Sequence, residues 1–300
     1  MSINLAIKVD VDTDRGTRIG VPNLVALFDE FGVKATFLFS LGPDHTGRAI
    51  KRIFRPGFLK KVSRTSVVSV YGIRTLLNGV LLPGPHVGRR NEAVMRAVRD
   101  KGYEVGIHCY DHIRWQDGLA GMTREEVFRE FGKARAEFER IFGAPARTAG
   151  AAGWQANTLS LEAYDDAGLL HASDGRGRHP FFPRIAGRVF KTIQIPSTLP
   201  TLDELLGRPE YPEERIAGHY LSLLQPGALN VLTIHAEIEG MKKIGIFRSF
   251  LELLRTRDLK VVRLDEVARE LLKNPAAIPV CDLVQGTVEG RSGTLALQAL

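Results

Sequence analysis

The chain has 300 residues, 44% of them hydrophobic and 25% charged, with a formal net charge of +7. That balance excludes a disordered polyelectrolyte and leaves enough apolar mass for one barrel-sized domain or two smaller ones. The basic surplus implies an anionic partner: nucleic acid, a membrane surface or a phosphorylated substrate.

The first predicted strand, Leu5 to Val9, lies in "NLAIKVDVDTDRGTRIG", an alternating apolar run that ends in Asp10, Asp12 and Asp14. Carboxylates are costly to bury unless a cation or hydrogen bonds compensate them, and alternate strand residues share a face. Asp10 and Asp12 either converge on a positive guest or mark a strand running into a solvated turn, where Asp and Gly are common. A helical pattern follows over Val21 to Phe31, then a strand over Ala35 to Phe39.

From His45 to Asn91 there is no acid, yet there are ten basic residues: Arg48, Lys51, Arg52, Arg55, Lys60, Lys61, Arg64, Arg74, Arg89 and Arg90. Ile50, Ile53, Phe54, Phe58, Leu59 and Val62 lie among them at helical spacing, followed by Ile73, Leu76, Leu77, Val80 and Leu81. Basic residues beside an apolar stripe describe a helical insertion, residues 45–91, lying in an anionic membrane interface. A solvated face over a core would carry scattered acids as well. Thr65 to Gly84 approaches the length of a span, but Ser66, Ser69, Arg74 and Asn78 interrupt it, so it is expected to lie on the membrane and not cross it.

Further strands are predicted over Glu104 to His108, Leu169 to Ser173, Thr192 to Ile195, Leu229 to His235 and Leu259 to Val262. Helices are predicted over Thr123 to Phe142, with Thr123 and Glu126 as a capping box, Arg248 to Thr256 and Asp265 to Leu272. This alternation implies βα units around a mostly parallel sheet in a single domain spanning residues 1–300, with 274–300 as a tail. A closed or distorted βα barrel is more economical at this length than an open sheet.

Polar clusters recur at the carboxyl ends of these strands, the edge where parallel βα folds assemble active sites. "EVGIHCYDHIRW" places His108 and His112 four apart, a spacing that one metal ion accepts if the strand runs straight into a helical turn. "LLHASDGRG" carries Asp174 and Arg176, and "LNVLTIHAEIEG" ends its apolar run at His235. Together with Asp10 and Asp12, these point to a metal-dependent hydrolase. Only two cysteines occur, Cys109 and Cys281, and no charged-then-apolar signal precedes Leu5, so a reducing, cytosolic setting is expected. Cys109 reads as a packing residue.

Asp-x-Asp after the first strand, "HCYDH" after the third and "LTIH" late in the chain resemble the ordered motifs of the NodB-homology polysaccharide deacetylases. "VDVDTDRGTRIGVPNL", "FSLGPDHTGR", "AAGWQAN", "SDGRG", "IPSTLPTLDELLGR" and "TIHAEIEG" resemble, within that family, the 4-deoxy-4-formamido-L-arabinose-phosphoundecaprenol deformylases, over about residues 3 to 290. The resemblance implies a distorted (β/α)7 barrel and a step in modifying lipid A that gives polymyxin resistance. The implied substrate is an undecaprenyl-phosphate-linked formamido sugar, met at the cytoplasmic face of the bacterial inner membrane by a peripheral protein. It further implies Asp12, His108 and His112 as ligands of a divalent ion (Zn, Mn or Co), Asp10 as general base and His235 as general acid. The metal would polarise the formamide carbonyl, Asp10 would take a proton from water, and His235 would protonate the leaving nitrogen.

One motif departs from the family. Its Arg-x-Pro-x-Gly, whose arginine orients the base, corresponds here to "AGAAG", Ala149 to Gly153. Arg176 is the expected replacement, with Asp174 bracing His235; the alternative is that "SDGRG" is an exposed turn. Glu237 and Glu239 are candidates either for binding the new amine or for lining their loop. A nucleic-acid-binding role is disfavoured, because RNA-binding and zinc-finger signatures are missing and the basic tract is interleaved with aliphatic residues more than stacking aromatics. A related metal-dependent deacetylase or amidohydrolase acting on a soluble substrate is the alternative, and it would not need the insertion.

Overall fold

Strand β1 (Ile3–Val11) is central, and its composition says why. Leu5, Ala6, Ile7, Val9 and Val11 have no exposed surface, so apolar side chains leave both faces, as a parallel strand covered on two sides requires. The computed structural model describes residues 3–49 and 72–299. The expectations placed on Phe54, Phe58, Lys60, Lys61 and Arg64 therefore lie outside the described residues.

The strands that follow are β2 (Thr36–Ser40), β3 (Glu104–Cys109), β4 (Thr148–Ala149), β5 (His171–Ala172), β6 (Phe182–Ile185), β7 (Arg188–Val189), β8 (Ile193–Gln194), β9 (Leu229–His235), β10 (Leu259–Val262), β11 (Val280–Gly286) and β12 (Leu295–Gln298). Along its length β1 pairs in parallel with β9. Its other edge is shared in succession by β10, through Ile3 to Ala6, and β2, through Lys8 to Val11. From β2 the sheet continues through β3, β4 and β5 to β8. No ladder joins β8 to β9. Instead the backbone N–H groups of Thr198 and Leu199, just past β8, each donate to the Val231 carbonyl at 3.1 Å, and the Val231 N–H donates to Thr198 Oγ1 at 2.8 Å. The order β9-β1-β2-β3-β4-β5-β8 thus curls into an incomplete seven-stranded barrel, as the distorted (β/α)7 reading expects.

Helices α1 (Val21–Phe31), α2 (Glu92–Asp100), α3 (His112–Gly118), α4 (Arg124–Phe142), α5 (Thr158–Ala167), α6 (Glu213–Leu223), α7 (Ile244–Leu254) and α8 (Leu264–Leu271) cover the sheet. The expected capping box opens α4: the Glu126 N–H reaches Thr123 Oγ1 at 3.3 Å, and the Thr123 N–H reaches Glu126 Oε2 at 3.0 Å. α1 packs through Phe28, whose ring meets Phe37 and Phe247 edge-on at 6.0 and 5.8 Å, an arrangement that adds to simple area burial.

A second sheet, ordered β12-β11-β6-β7, was not read from the sequence. Ala186 and Gly187, with φ of 50° and 80°, form the two-residue loop between β6 and β7, the conformation such hairpins favour. β12 returns the end of the chain to the barrel: the Arg176 N–H donates to the Ala296 carbonyl at 3.0 Å, and the Gln298 N–H to the Arg176 carbonyl at 2.9 Å. No helix among the described residues is long and apolar enough to cross a membrane.

Candidate active site

The period of β1 places Lys8, Asp10 and Asp12 on one face, and Asp10 lies in register with His235 of the adjoining β9. His108 comes from the end of β3. His112 opens α3, a helix whose first turn is capped by Asp111, accepting from the Arg114 N–H at 3.0 Å. His45 Nδ1 lies 2.6 Å from the other Asp111 oxygen and holds the cap in place.

These elements bring Asp12, His108 and His112 together, with one ligand atom from each within 4.8 Å of the others. Asp12 Oδ1 stands 3.2 Å from His108 Nε2 and 3.4 Å from His112 Nε2, buried and without a hydrogen-bond partner. His108 Nδ1 is 2.7 Å from the Gly150 carbonyl. Since a carbonyl only accepts, Nδ1 carries the proton and Nε2 is turned toward Asp12 with its lone pair, the arrangement usual behind a metal-ligating imidazole. An orphaned carboxylate oxygen facing two such nitrogens fits a divalent cation.

The electrostatics agree. Burial opposes the charge on Asp12, yet His112 and His108 hold its carboxyl well below the usual carboxylate range. Burial likewise opposes a charged His108, but Asp10 and Asp12 push its imidazole upward. Binding a cation here would displace that proton.

Two further carboxylates support the site from below. Glu237 Oε1 accepts from the Asp12 N–H, the Thr13 N–H and the Thr13 hydroxyl at 3.1, 2.9 and 2.7 Å, and burial pushes its carboxyl well up. Glu239 Oε2 accepts from the His235 N–H at 2.9 Å, and burial pushes its carboxyl up to about 8. Both therefore tie the loops carrying Asp12 and His235. Cys109 is buried beside Ser40, its thiol pushed well up by burial, so it packs and does not react.

Arg176 and Asp174 stand elsewhere than expected. The Arg176 guanidinium donates to both oxygens of Glu204, at 2.8 and 2.9 Å, and lies 5.2 Å from the Trp154 ring centroid. A buried carboxylate so placed pairs with it, while the ion pair of Asp10 is with another residue. Asp174 accepts from the Ala151 N–H at 2.7 Å, from Gln194 Nε2 at 2.8 Å and from the Tyr164 hydroxyl at 3.4 Å. Its carboxyl, pushed up to about 6 by burial against those hydrogen bonds, fastens the "AGAAG" turn and makes no bond to His235.

The cation beside Asp10 is Lys8, which the sequence reading overlooked. It is fully buried, with Nζ 3.4 Å from Asp10 Oδ2 and donating to the Ser173 carbonyl at 3.1 Å. A lysine two residues before the first aspartate, inside an otherwise apolar strand, was the available signal. Trp154, Asp203, Gln116 and Arg291 complete the lining of a small cavity, about 110 Å³, over the two aspartates and three histidines. Arg291 comes from the β11–β12 connection and lies 4.3 Å over Trp154.

The family model of polysaccharide deacetylases matches residues 11–171. The chain is 35% identical to a probable 4-deoxy-4-formamido-L-arabinose-phosphoundecaprenol deformylase of Shewanella sediminis, covering 98% of this chain and 94% of that one. It is 30% identical to its counterpart from Wigglesworthia glossinidia brevipalpis, covering 94% and 98%. A crystal structure of a polysaccharide deacetylase from Mycobacterium smegmatis superposes with a TM-score of 0.65 at 16% identity, covering 95% of this chain and 94% of that one, a likeness of fold. With a model spanning more than half the chain and a relative alike over nearly all of it, the chain belongs to the polysaccharide deacetylase family and is a hydrolase acting on amide bonds.

Proposed function

We propose that the chain hydrolyses the formamide of 4-deoxy-4-formamido-L-arabinose-phosphoundecaprenol, giving formate and 4-amino-4-deoxy-L-arabinose-phosphoundecaprenol for lipid A modification and polymyxin resistance. The observation that carries this reading is the pairing of Asp10 and His235 on neighbouring strands beside the Asp12, His108 and His112 cluster, in a chain similar over 98% of its length to the Shewanella deformylase. A divalent ion held by those three residues would supply Lewis-acid polarisation of the acyl oxygen and of water.

The chain's own groups do the rest. Asp10 takes the proton of the attacking water, and Lys8, 3.4 Å away, orients it. His235, whose backbone Glu239 fixes, gives a proton to the departing nitrogen, a task suited to an imidazole. The cavity of about 110 Å³ is below the usual size of a small-molecule site; it admits a one-carbon acyl group with its water and leaves the sugar at the mouth.

The substrate's lipid calls for a peripheral enzyme on the cytoplasmic leaflet. The acid-free tract from His45 to Asn91 supports that placement, as do Ile73, Val80, Leu81 and Leu82, four of the seven exposed large hydrophobic residues among those described. The test is mass-spectrometric assay of the metal-loaded protein on the formamido lipid. Release of formate with a free amine on the sugar is expected; an untouched formamido lipid beside rapid deacetylation of a soluble sugar would transfer the chain to the soluble-substrate class.

A further inference from the structure

Next to the barrel mouth the chain builds a second concave site. The turn Gly16–Gly20, which joins β1 to α1, is pressed onto the segment after β9: a Cβ at Gly16 would lie 1.9 Å from Glu237 Oε1, and one at Gly20 would lie 2.0 Å from the Ala236 carbonyl oxygen. Arg15 immediately precedes this closely seated turn and Arg18 lies within it. Arg74, on the short helix Ile73–Leu77, and Arg90, at the end of Val87–Arg90, join them in lining a cleft of about 820 Å³, within the size range of small-molecule sites.

The cleft's charge is one-sided. Asp14 is the single acid among its described lining residues, and it is engaged by Asn91 Nδ2 at 2.9 Å and Arg90 Nη1 at 3.5 Å. Four guanidinium groups against one carboxylate leave a formal +3. Among the described residues, Arg18 and Arg74 make no ion pair. Like charges held in one concavity repel unless an anion joins them, and the guanidinium fork matches phosphate oxygens. The rim is apolar: Ile73 and Leu82 line the cleft at 67% and 38% exposure, and Val80 and Leu81 adjoin them at 54% and 75%. Arginines bordered by exposed aliphatic side chains suit an anion that carries a hydrocarbon tail. Asp14 follows Asp12 by two residues, so at most about 7 Å of chain separates the cleft's edge from the metal-binding carboxylate.

We propose that the cleft formed by Arg15, Arg18, Arg74 and Arg90 binds the phosphate of a prenyl-phosphate-linked sugar, with the tail leaving over Ile73 and Leu82 and the acylated sugar reaching the barrel mouth. This rests on the lipid-linked substrate proposed above. The alternative source of the same phosphate chemistry is the headgroup of an anionic phospholipid.

The test is calorimetric titration of the full chain with farnesyl phosphate, repeated on an Arg18→Gln, Arg74→Gln double variant. Both side chains are exposed, so the variant should keep its thermal midpoint and metal content. Its Kd for farnesyl phosphate should rise roughly 10- to 100-fold, between the worth of exposed pairs and that of charge-assisted hydrogen bonds, while farnesol should bind both forms equally and weakly. Equal Kd values for farnesyl phosphate in the two forms would overturn the proposal. A variant that keeps farnesyl phosphate but loses phosphatidylglycerol vesicles would overturn it too, by giving the cleft to bilayer headgroups. If the wild type binds farnesyl phosphate through these arginines yet releases no formate from the formamido lipid, the cleft stands and the deformylase reading falls.

Discussion

Replacing Lys8 by Met keeps the length of the side chain and removes its charge. Lys8 has no exposed surface, and its Nζ lies 3.4 Å from Asp10 Oδ2. Two unit charges at that separation attract by about 5 kcal/mol at an effective dielectric near 20, a gross figure already offset by what it costs to bury the ammonium. The more useful magnitude is for breaking a buried pair by removing one member, about 3–5 kcal/mol, because the other charge stays behind uncompensated. The Ser173 carbonyl would also lose its donor. Lys8→Met should therefore unfold at lower urea and lower kcat by roughly 10²-fold or more, the range of a misplaced or neutralised general base. Lys8→Arg should recover part of both, since the charge returns in a different shape. In the double variant with Asp10→Asn the two stability losses should not add, as expected of residues in contact. Urea titrations and single-turnover rates on the wild type, Lys8→Met, Lys8→Arg, Asp10→Asn and the double variant supply the measurement. Lys8→Met with wild-type kcat and an unchanged urea midpoint would refute the assignment of Lys8 as the partner of the base.

Asp12→Ala and His108→Ala should each lose stoichiometric divalent metal together with activity while the fold survives; full occupancy by metal analysis in both would remove the proposed ligand set. Asp10→Asn and His235→Ala should keep the metal and lose about 10²- to 10⁴-fold in kcat, and wild-type turnover in either ends its role. Asp174, pushed up to about 6 by burial, contributes stability as its protonated form, complete below its ordinary range near 4 and lost as pH rises through about 6. Wild type should thus lose up to about 3 kcal/mol relative to Asp174→Asn across that window, and parallel urea midpoints from pH 4 to 7 would contradict this. Changing Lys60, Lys61 and Arg64 to Gln should weaken binding to anionic liposomes by about 1 kcal/mol per charge in a salt-dependent way, whereas Phe54→Ser with Phe58→Ser should weaken it even at low salt; unaltered partitioning in both would return the tract to barrel packing.

The barrel was legible because its signals are local. A strand with alternating or doubly apolar faces, a capping box at Thr123 and Glu126, and acids or histidines at strand ends all sit within a few residues of one another. β9 and β10 begin and end where their patterns do. The second sheet was not legible: β7 spans only two residues, too short for a period to declare itself, and β11 finds β6 across the fold, Val280 opposite Phe182. Long-range partners were hidden for a different reason. "SDGRG" shows that Asp174 and Arg176 share a turn, but their neutralising groups lie 23 residues back at Ala151 and 28 residues on at Glu204, and no periodicity carries that information.

Asp10 has a cationic neighbour in Lys8, and the "AGAAG" segment, which holds no arginine, offers it none. "AGAAG" starts at the last residue of β4 and continues through the turn after it with no side chain long enough to reach Asp10, and a Cβ on Gly150 would come within 3.7 Å of Lys8 Nζ. That positive charge comes from β1 itself, four residues before Asp12 of the candidate metal cluster. A strand's period of two makes this possible: residues 8, 10 and 12 deliver a cation and two carboxylates to one face without any loop between them. It also sets a charge requirement. Asp10, Asp12 and Lys8 together sum to a formal −1 beside the two imidazoles of His108 and His112. A divalent ion held by Asp12, His108 and His112 would bring the cluster to a formal +1 and would supply the charge that polarises water and an acyl oxygen. Moving the lysine to position 7 or 9 would turn it to the opposite face of β1, into the apolar layer occupied by Ile7 and Val9, so position 8 is the one place on that segment where the same residue type can serve the base.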